Sequence, residues 1–272
     1  MKYSVILSIL LIVLLVYSAE KCQAVVIGKL KRRWFVGGNF QNVTQSDNTT
    51  LTVNNIASWN GKRWRGYSGG TDGPVNVVLV DSCLSVWIAG KFSTAGGVNT
   101  GPIAVWKRGA VNWARVGVLN STSDDNVTLS DEIRALSVDC YNTPTDTDDC
   151  TCDAYIGGSF EFALNADGNK IAHNIARYNA KHKKWENLGG IEHHNISTPV
   201  NIIQKRNWGL TIAQHMYLWT GGLGFFKRYS LKQKTWKTYD QVQDDHVVTD
   251  IIYDPYAYDD FNLIIAGQFN IS

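Results

Sequence analysis

Short apolar runs recur along the chain, and each ends in glycine followed closely by phenylalanine. Four of them are WFVGGNF at 34–40, VWIAGKF at 86–92, AYIGGSF at 154–160 and YLWTGGLGFF at 217–226, and a fifth, LIIAGQF, lies at 263–269. Apolar runs of this length bounded by glycine predict β-strands, and no sustained helical period follows the N-terminus. A string that returns after about 45 to 65 residues is typical of a propeller or a solenoid.

A pair of aromatic residues follows each of the four complete strings. The pairs are Trp59 and Trp64, Trp106 and Trp113, Tyr178 and Trp185, and Tyr229 and Trp236. The residues between the two members are polar, which predicts a hairpin that joins the third strand of each repeat to the fourth. Each repeat is therefore expected to form a four-stranded antiparallel blade. The glycines of the second strand are expected either to turn through positive φ or to let a neighbouring blade approach closely.

The succession of Gly-Gly, then Tyr or Trp, then Trp resembles the kelch repeat. The longer strings from Gly37 to Trp59 and from Gly157 to Tyr178 resemble the secreted kelch and galactose-oxidase-like repeats of microbial surface proteins and of the fungal cortical cell-polarity marker. The resemblance covers roughly residues 25–272. It implies an all-β, kelch-like β-propeller, and it does not imply a ligand, because propellers host many functions.

We expect about four and a half blades, at 25–68, 74–118, 132–190 and 198–240, with a partial blade at 246–272. Propellers usually close by sharing strands between their termini. The incomplete last blade leaves three alternatives: an open or incomplete ring, completion of the first blade by the C-terminal strands, or the front part of a longer protein.

The N-terminus has the pattern of a secretory signal peptide, predicted at 1–24, although cleavage after Ser18 and an uncleaved anchor are alternatives. Cleavage after residue 24 leaves four cysteines, Cys83, Cys140, Cys150 and Cys152. An even number in a secreted chain predicts two disulfides. Cys150 and Cys152 are too close in sequence to pair with each other. We expect one bridge inside the loop that contains them and another to Cys83, and we expect no metal.

Six Asn-X-Ser/Thr sequons predict N-glycosylation behind a signal peptide. They lie at Asn42, Asn48, Asn120, Asn126, Asn195 and Asn270. In a propeller all six would emerge on one face. An alternative explanation for this distribution is that the longest loops lie on that face and that long loops collect sequons.

The hairpins expected on the opposite face are basic, although the net charge of the chain is only +2 and predicts no affinity for nucleic acid. We expect these hairpins to bind an anionic polysaccharide or an acidic protein surface; solvated hairpin tips are the alternative explanation. The residues concerned are Lys62, Arg63, Arg65, Lys107, Arg108, Lys181, Lys183, Lys184, Lys232, Lys234 and Lys237.

The sequence favours a secreted or cell-surface binding or adhesion module without catalytic residues or cofactors. No nucleophile elbow, phosphate-binding loop or zinc-protease motif is present. One alternative is a carbohydrate-active copper-radical oxidase, which would need two Tyr and two His as copper ligands. The other is the front part of a larger polarity or adhesion receptor.

Overall fold

A computed structural model describes residues 26–30, 33–117, 132–141, 150–160, 173–186, 188, 196, 198–208, 215–239, 242, 244–253 and 263–269. β-Strands are the only regular elements in these ranges, which confirms the prediction of an all-β chain. The chain divides into two compact units, Met1–Val116 and Gly117–Ser272.

The first unit contains two four-stranded antiparallel sheets and two short hairpins. The first sheet comprises β1 (Val26–Leu30), β2 (Arg33–Gly37), β5 (Ile56–Trp59) and β6 (Trp64–Gly66), with the hairpin of β3 (Asn42–Thr44) and β4 (Thr50–Thr52) between β2 and β5. The second sheet comprises β7 (Val75–Val80), β8 (Val86–Gly90), β11 (Ile103–Trp106) and β12 (Ala114–Arg115), with the hairpin of β9 (Thr94–Ala95) and β10 (Val98–Asn99) between β8 and β11.

The second unit repeats this strand order twice and adds a smaller sheet. The third sheet comprises β13 (Glu132–Cys140), β14 (Cys152–Ser159), β15 (Ile175–Asn179) and β16 (Lys184–Glu186). The fourth comprises β17 (Val200–Trp208), β18 (His215–Gly222), β19 (Phe225–Ser230) and β20 (Thr235–Thr238), and β21 (Val247–Tyr253) pairs with β22 (Leu263–Gln268). The arrangement of these sheets as a propeller stays a prediction.

Each unit has a core between its two four-stranded sheets, and the two cores use the same repeat positions. Phe35, Val75 and Val86 are buried in the first unit. Tyr155 and Val200 are their counterparts in the second unit, where Leu218 corresponds to Val86. The predicted aromatic pairs are in contact, with ring centroids between 4.9 Å and 5.4 Å apart. Apolar second strands are therefore buried on both faces, which is why they lack a polar alternation.

The first glycine of the repeated string allows the two sheets of a unit to approach closely. A Cβ at Gly37 would lie 2.5 Å from Cγ1 of Val75, and a Cβ at Gly157 would lie 2.4 Å from Cγ1 of Val200. Neither glycine has a positive φ. Close packing, and not turn geometry, is thus the reason for glycine at this position.

The β3–β4 hairpin lies along the outer edge of the first sheet. The side chain of Gln45 accepts a hydrogen bond from the backbone N–H of Trp64 (2.9 Å) and donates one to its carbonyl (3.1 Å). The hydroxyl of Ser46 donates to the carbonyl of Lys62 (3.4 Å) in the β5–β6 turn. Hydrogen bonds from Thr49 lower the pKa of Asp47 below its usual range, and the charge of Arg63 adds to this effect.

The sequence pattern predicts that the sequons and the basic hairpins lie on opposite faces. The position of the β3–β4 hairpin contradicts this prediction for Asn48. Asn48 is exposed at the hairpin tip, next to the residues that reach the basic β5–β6 turn. The hairpin folds back because Gln45 satisfies edge groups of β6 that would otherwise face solvent. Asn42 is also exposed, and its side-chain oxygen accepts a hydrogen bond from Thr52 (2.9 Å).

Cys140 and Cys152 are paired across β13 and β14 and form a disulfide. Cys83 is part of a disulfide, and so is Cys150. Disulfides are typical of an oxidising, extracellular compartment.

The predicted signal peptide and four of the six sequons, Asn120, Asn126, Asn195 and Asn270, lie outside the described residues. No helix within the described ranges has the length and apolarity needed to cross a bilayer.

Candidate functional site

A cavity of about 640 Å³ opens between the first and second sheets. Arg33, Phe35, Arg65 and Tyr67 come from the first sheet and the segment that follows it. The second sheet and its loops contribute Leu84, Val86, Trp106 and the turn at 107–110. Ligand pockets have this size and this combination of aromatic walls with a few polar groups.

Strand register places the first-sheet side chains on one face. Phe35 pairs with Ser58, and Ser58 pairs with Arg65 on the next strand, so all three side chains point toward the second sheet. Arg33 precedes Phe35 by two residues and therefore shares this face. Phe35 is buried, whereas the two arginines are exposed at the cavity mouth.

The basic turn of the second sheet forms the opposite wall. The N–H of Ala110 donates to the carbonyl of Lys107 (3.0 Å), and Gly109 has φ +78°. A four-residue turn with positive φ at its third residue favours glycine there. Ser68 donates to the carbonyl of Val111 (2.9 Å) and ties this turn to the first sheet.

A second hydrogen bond fixes the floor of the cavity. The indole N–H of Trp113 donates to the carbonyl of Tyr67 (3.3 Å), and the Tyr67 hydroxyl lies 3.1 Å from that of Ser58. Trp106 meets Tyr67 edge to face, with ring centroids 5.0 Å apart. Most of Trp106 is covered, but part of its ring faces the cavity.

The cavity is positively charged. Arg33, Arg65, Lys107 and Arg108 line it, and no acidic residue of the described chain does. The guanidinium of Arg65 lies 5.9 Å from the centroid of the Tyr67 ring, within cation–π range. Among the described residues, none of these four cations forms an ion pair with a carboxylate. Such a site attracts anions.

The third sheet carries opposite charges at the same repeat positions. Asp153, Tyr155, Arg177 and Glu186 correspond to Arg33, Phe35, Ser58 and Arg65 in strand register.

The guanidinium of Arg177 lies between the two carboxylates of this face. Its Nε donates to Oδ2 of Asp153 (2.9 Å), and its Nη1 lies 3.5 Å from Oε2 of Glu186. Asp153, which has no exposed surface, also accepts hydrogen bonds from the Tyr141 hydroxyl and the Ala180 N–H. The charged groups on this face of the third sheet are therefore paired with one another within the protein.

The ring of Tyr155 contributes to the same network. The Arg177 guanidinium lies 5.8 Å from its centroid. Burial raises the pKa of both Tyr141 and Tyr155 above their usual range, and in Tyr141 the hydrogen bond to Asp153 adds to the effect.

The fourth sheet has cations at two of the four positions, and both cations lie over aromatic rings: Arg228 corresponds to Ser58, and Lys237 corresponds to Arg65. The guanidinium of Arg228 lies 4.1 Å from the centroid of Tyr217 and 5.5 Å from that of Trp219. The ammonium of Lys237 lies 5.0 Å from the Tyr239 centroid.

The structure brings together three of the eleven basic residues that the sequence singled out. Arg65, Lys107 and Arg108 line the cavity. The other eight lie in the β5–β6 turn of the first sheet and in the hairpins of the third and fourth sheets: Lys62, Arg63, Lys181, Lys183, Lys184, Lys232, Lys234 and Lys237. None of these eight lines the cavity.

Sequence reasoning missed Arg33, Phe35, Tyr67 and Trp106 as site residues. Arg33 stands two positions before the buried aromatic of the second strand, where the other repeats have Ser85, Asp153 and Tyr217. Aligning the repeats at this position would have exposed the change of charge. Tyr67 carries a weaker signal, since its counterpart in the third repeat is the apolar Leu188.

Two of the six histidines have described side-chain contacts that bear on the copper-oxidase alternative. His182 lies 3.6 Å from Glu186, and His246 packs edge-on against Phe269. Comparison with protein-family models and with curated proteins finds no match to this chain.

Proposed function

We propose that the chain is a secreted, glycosylated, kelch-like β-propeller that acts as a non-catalytic binding module for an anionic extracellular partner. The cavity between the first and second sheets is the proposed binding site. One observation carries the proposal: four cations and three aromatic rings converge on one cavity that no described acidic residue lines.

The repeated architecture supports the propeller. Both units use the same hydrogen bond between consecutive sheets, from Trp113 to the carbonyl of Tyr67 and from Trp236 to the carbonyl of Leu188 (2.9 Å). Stacking of like sheets through equivalent contacts is how repeat proteins bury a continuous core.

The test is retention of the full-length secreted chain on two polyanion columns, one of alginate and one of dextran sulfate. We expect binding to at least one of them. The cavity variant Arg65→Gln/Lys107→Gln/Arg108→Gln should elute at a clearly lower salt concentration, because it removes charges that converge on one ligand.

The matched control is Lys181→Gln/Lys183→Gln/Lys184→Gln, which removes the same charge from an exposed hairpin of the third sheet. Its elution should change much less. Equal shifts for the two variants would show that diffuse charge, and not the cavity, causes retention. Absence of retention on both columns would overturn the proposed function.

A further inference from the structure

We infer that the cavity binds the carboxylate of an acidic sugar between Arg33 and Arg65. This inference rests on the proposed function and deepens it by naming the ligand class, a glycan that contains uronic acid.

The first step compares two faces built on the same strand positions. On the third sheet, a cation at the centre of the face is flanked by two carboxylates, and every charge has a partner within the protein. On the first sheet, the flanking positions carry Arg33 and Arg65 instead of Asp153 and Glu186. The charges are inverted, so the group that completes this face must be an anion.

The second step concerns the centre of the face. The first sheet has Ser58 where the third sheet has Arg177, and the hydroxyl of Ser58 is already bonded to that of Tyr67. This short side chain carries no charge, so the described chain supplies no anion between the two arginines. Among the four-stranded sheets described, only the first combines two flanking cations with a neutral centre; the second has Ser85, Val105 and Ala114 at these positions.

The third step identifies the anionic group. In the third sheet, the protein pairs a planar guanidinium with planar carboxylates. Inverting the charges gives a carboxylate held by two guanidinium groups, and arginine forks match carboxylates through two parallel hydrogen bonds.

The fourth step identifies the molecule that carries the carboxylate. Tyr67 and Trp106 line the cavity beside Arg65, and aromatic rings offer a large apolar surface on which a pyranose ring can pack. Lys107 and Arg108 lie on the opposite wall, where they can pair with the carboxylate of the next sugar. A chain of uronic acids meets both requirements.

The experiment is calorimetric titration of the full chain with galacturonic acid tetramer. Its methyl ester and a sulfated galactose tetramer serve as comparison ligands. We expect the acid to bind and the ester to bind about tenfold more weakly or not at all, because it loses the charge-assisted bonds. The sulfated sugar should bind more weakly than the acid.

Two variants test the inverted charges. The variant Arg33→Asp/Arg65→Glu should lose affinity for the galacturonic acid tetramer and gain affinity for agmatine, a small guanidinium compound. Adding Ser58→Arg rebuilds the third-sheet arrangement within the first sheet. This triple variant should bind neither ligand and should unfold at the temperature of the parent chain or above it.

Unchanged tetramer binding by Arg33→Asp/Arg65→Glu would overturn the inference. If that variant does not fold, Arg33→Gln/Arg65→Gln replaces it, with loss of the tetramer expected and retention contradicting the inference. If the sulfated sugar binds as tightly as the acid, the inference of a site specific for carboxylates is wrong, whereas the proposed function stands. Absence of binding on both polyanion columns would reject the proposed function itself.

Discussion

The first and third sheets have the same strand order, a buried aromatic residue at the same position and an equivalent hydrogen bond to the following sheet, yet the charged residues that flank the centre of each face have opposite signs. On the third sheet Asp153 and Glu186 enclose Arg177, so the face is complete without a ligand. On the first sheet two arginines flank a serine, and a cavity opens beside them. Changing three side chains of a repeated scaffold thus replaces a structural ion-pair network with a cavity that is lined by cations.

The largest difference that we predict between the two faces is in stability. Arg177→Met should lower the free energy of unfolding by about 3 kcal/mol, because Asp153 is fully buried and would lose its cation. Arg65→Met should change it by less than about 0.5 kcal/mol, since this side chain is exposed and forms no ion pair within the described residues. Urea unfolding of both variants measures the difference, and equal losses would mean that the two faces do not differ as we describe.

A second prediction concerns what the two units share. Gly37→Ala should cost about 2 kcal/mol of unfolding free energy, because the new Cβ would overlap Val75, which has no exposed surface. Gly157→Ala should cost a similar amount through Val200.

A double-mutant cycle provides the control for this prediction. Val75→Ala makes room for the new methyl group, so Gly37→Ala should cost less in that background than in the parent chain. Additive effects would show that close packing is not the reason for glycine at this position.

The third sheet should also make the stability of the chain depend on alkaline pH. Burial raises the pKa of Tyr141 and Tyr155, so the folded chain keeps these protons after the unfolded chain releases them near pH 10. The unfolded state then binds fewer protons, so stability falls as pH rises above about 10.

Unfolding measured between pH 8 and pH 11.5 tests this sign. Tyr141→Phe should make the decrease of unfolding free energy with pH shallower, because the phenylalanine ring has no proton that the folded and unfolded chains could release at different pH values. A decline of unchanged slope would mean that Tyr141 ionises equally in the folded and unfolded chains.

The smallest predicted effect concerns the hairpin that covers the edge of the first sheet. Gln45→Ala removes two hydrogen bonds to the backbone of Trp64 and should cost about 1 kcal/mol. Gln41→Ala is the matched control, since the Gln41 side chain is exposed and forms no described hydrogen bond. Thermal unfolding of both variants distinguishes a role in covering the edge from a general effect on the hairpin.

Much of the local structure could be predicted from the sequence. The glycine-terminated strings form β2, β8, β14 and β18, and the aromatic pairs that follow them are in contact. These features depend on residues that are close in sequence and on the hairpins that join them. A repeated pattern in the sequence is enough to predict both.

The candidate site was predicted only in part. Arg65, Lys107 and Arg108 were singled out because basic residues cluster at hairpin tips, but the same reasoning included eight residues that lie elsewhere. Arg33 and Tyr67 were missed, because a cavity depends on which faces of two sheets meet. The prediction that Asn48 lies away from the basic turns was wrong for a similar reason, since the hairpin that carries Asn48 folds back along β6.

By itself the sequence determined an all-β chain of repeated four-stranded units, because strand and turn propensities act over a few residues and recur with the repeat. Only the tertiary structure decided that Gly37 faces Val75, that Asp153 and Glu186 enclose Arg177, and that two arginines meet a basic turn across an open cavity. These contacts join residues of different strands and sheets, and their energies depend on distance and burial, which a linear pattern does not contain.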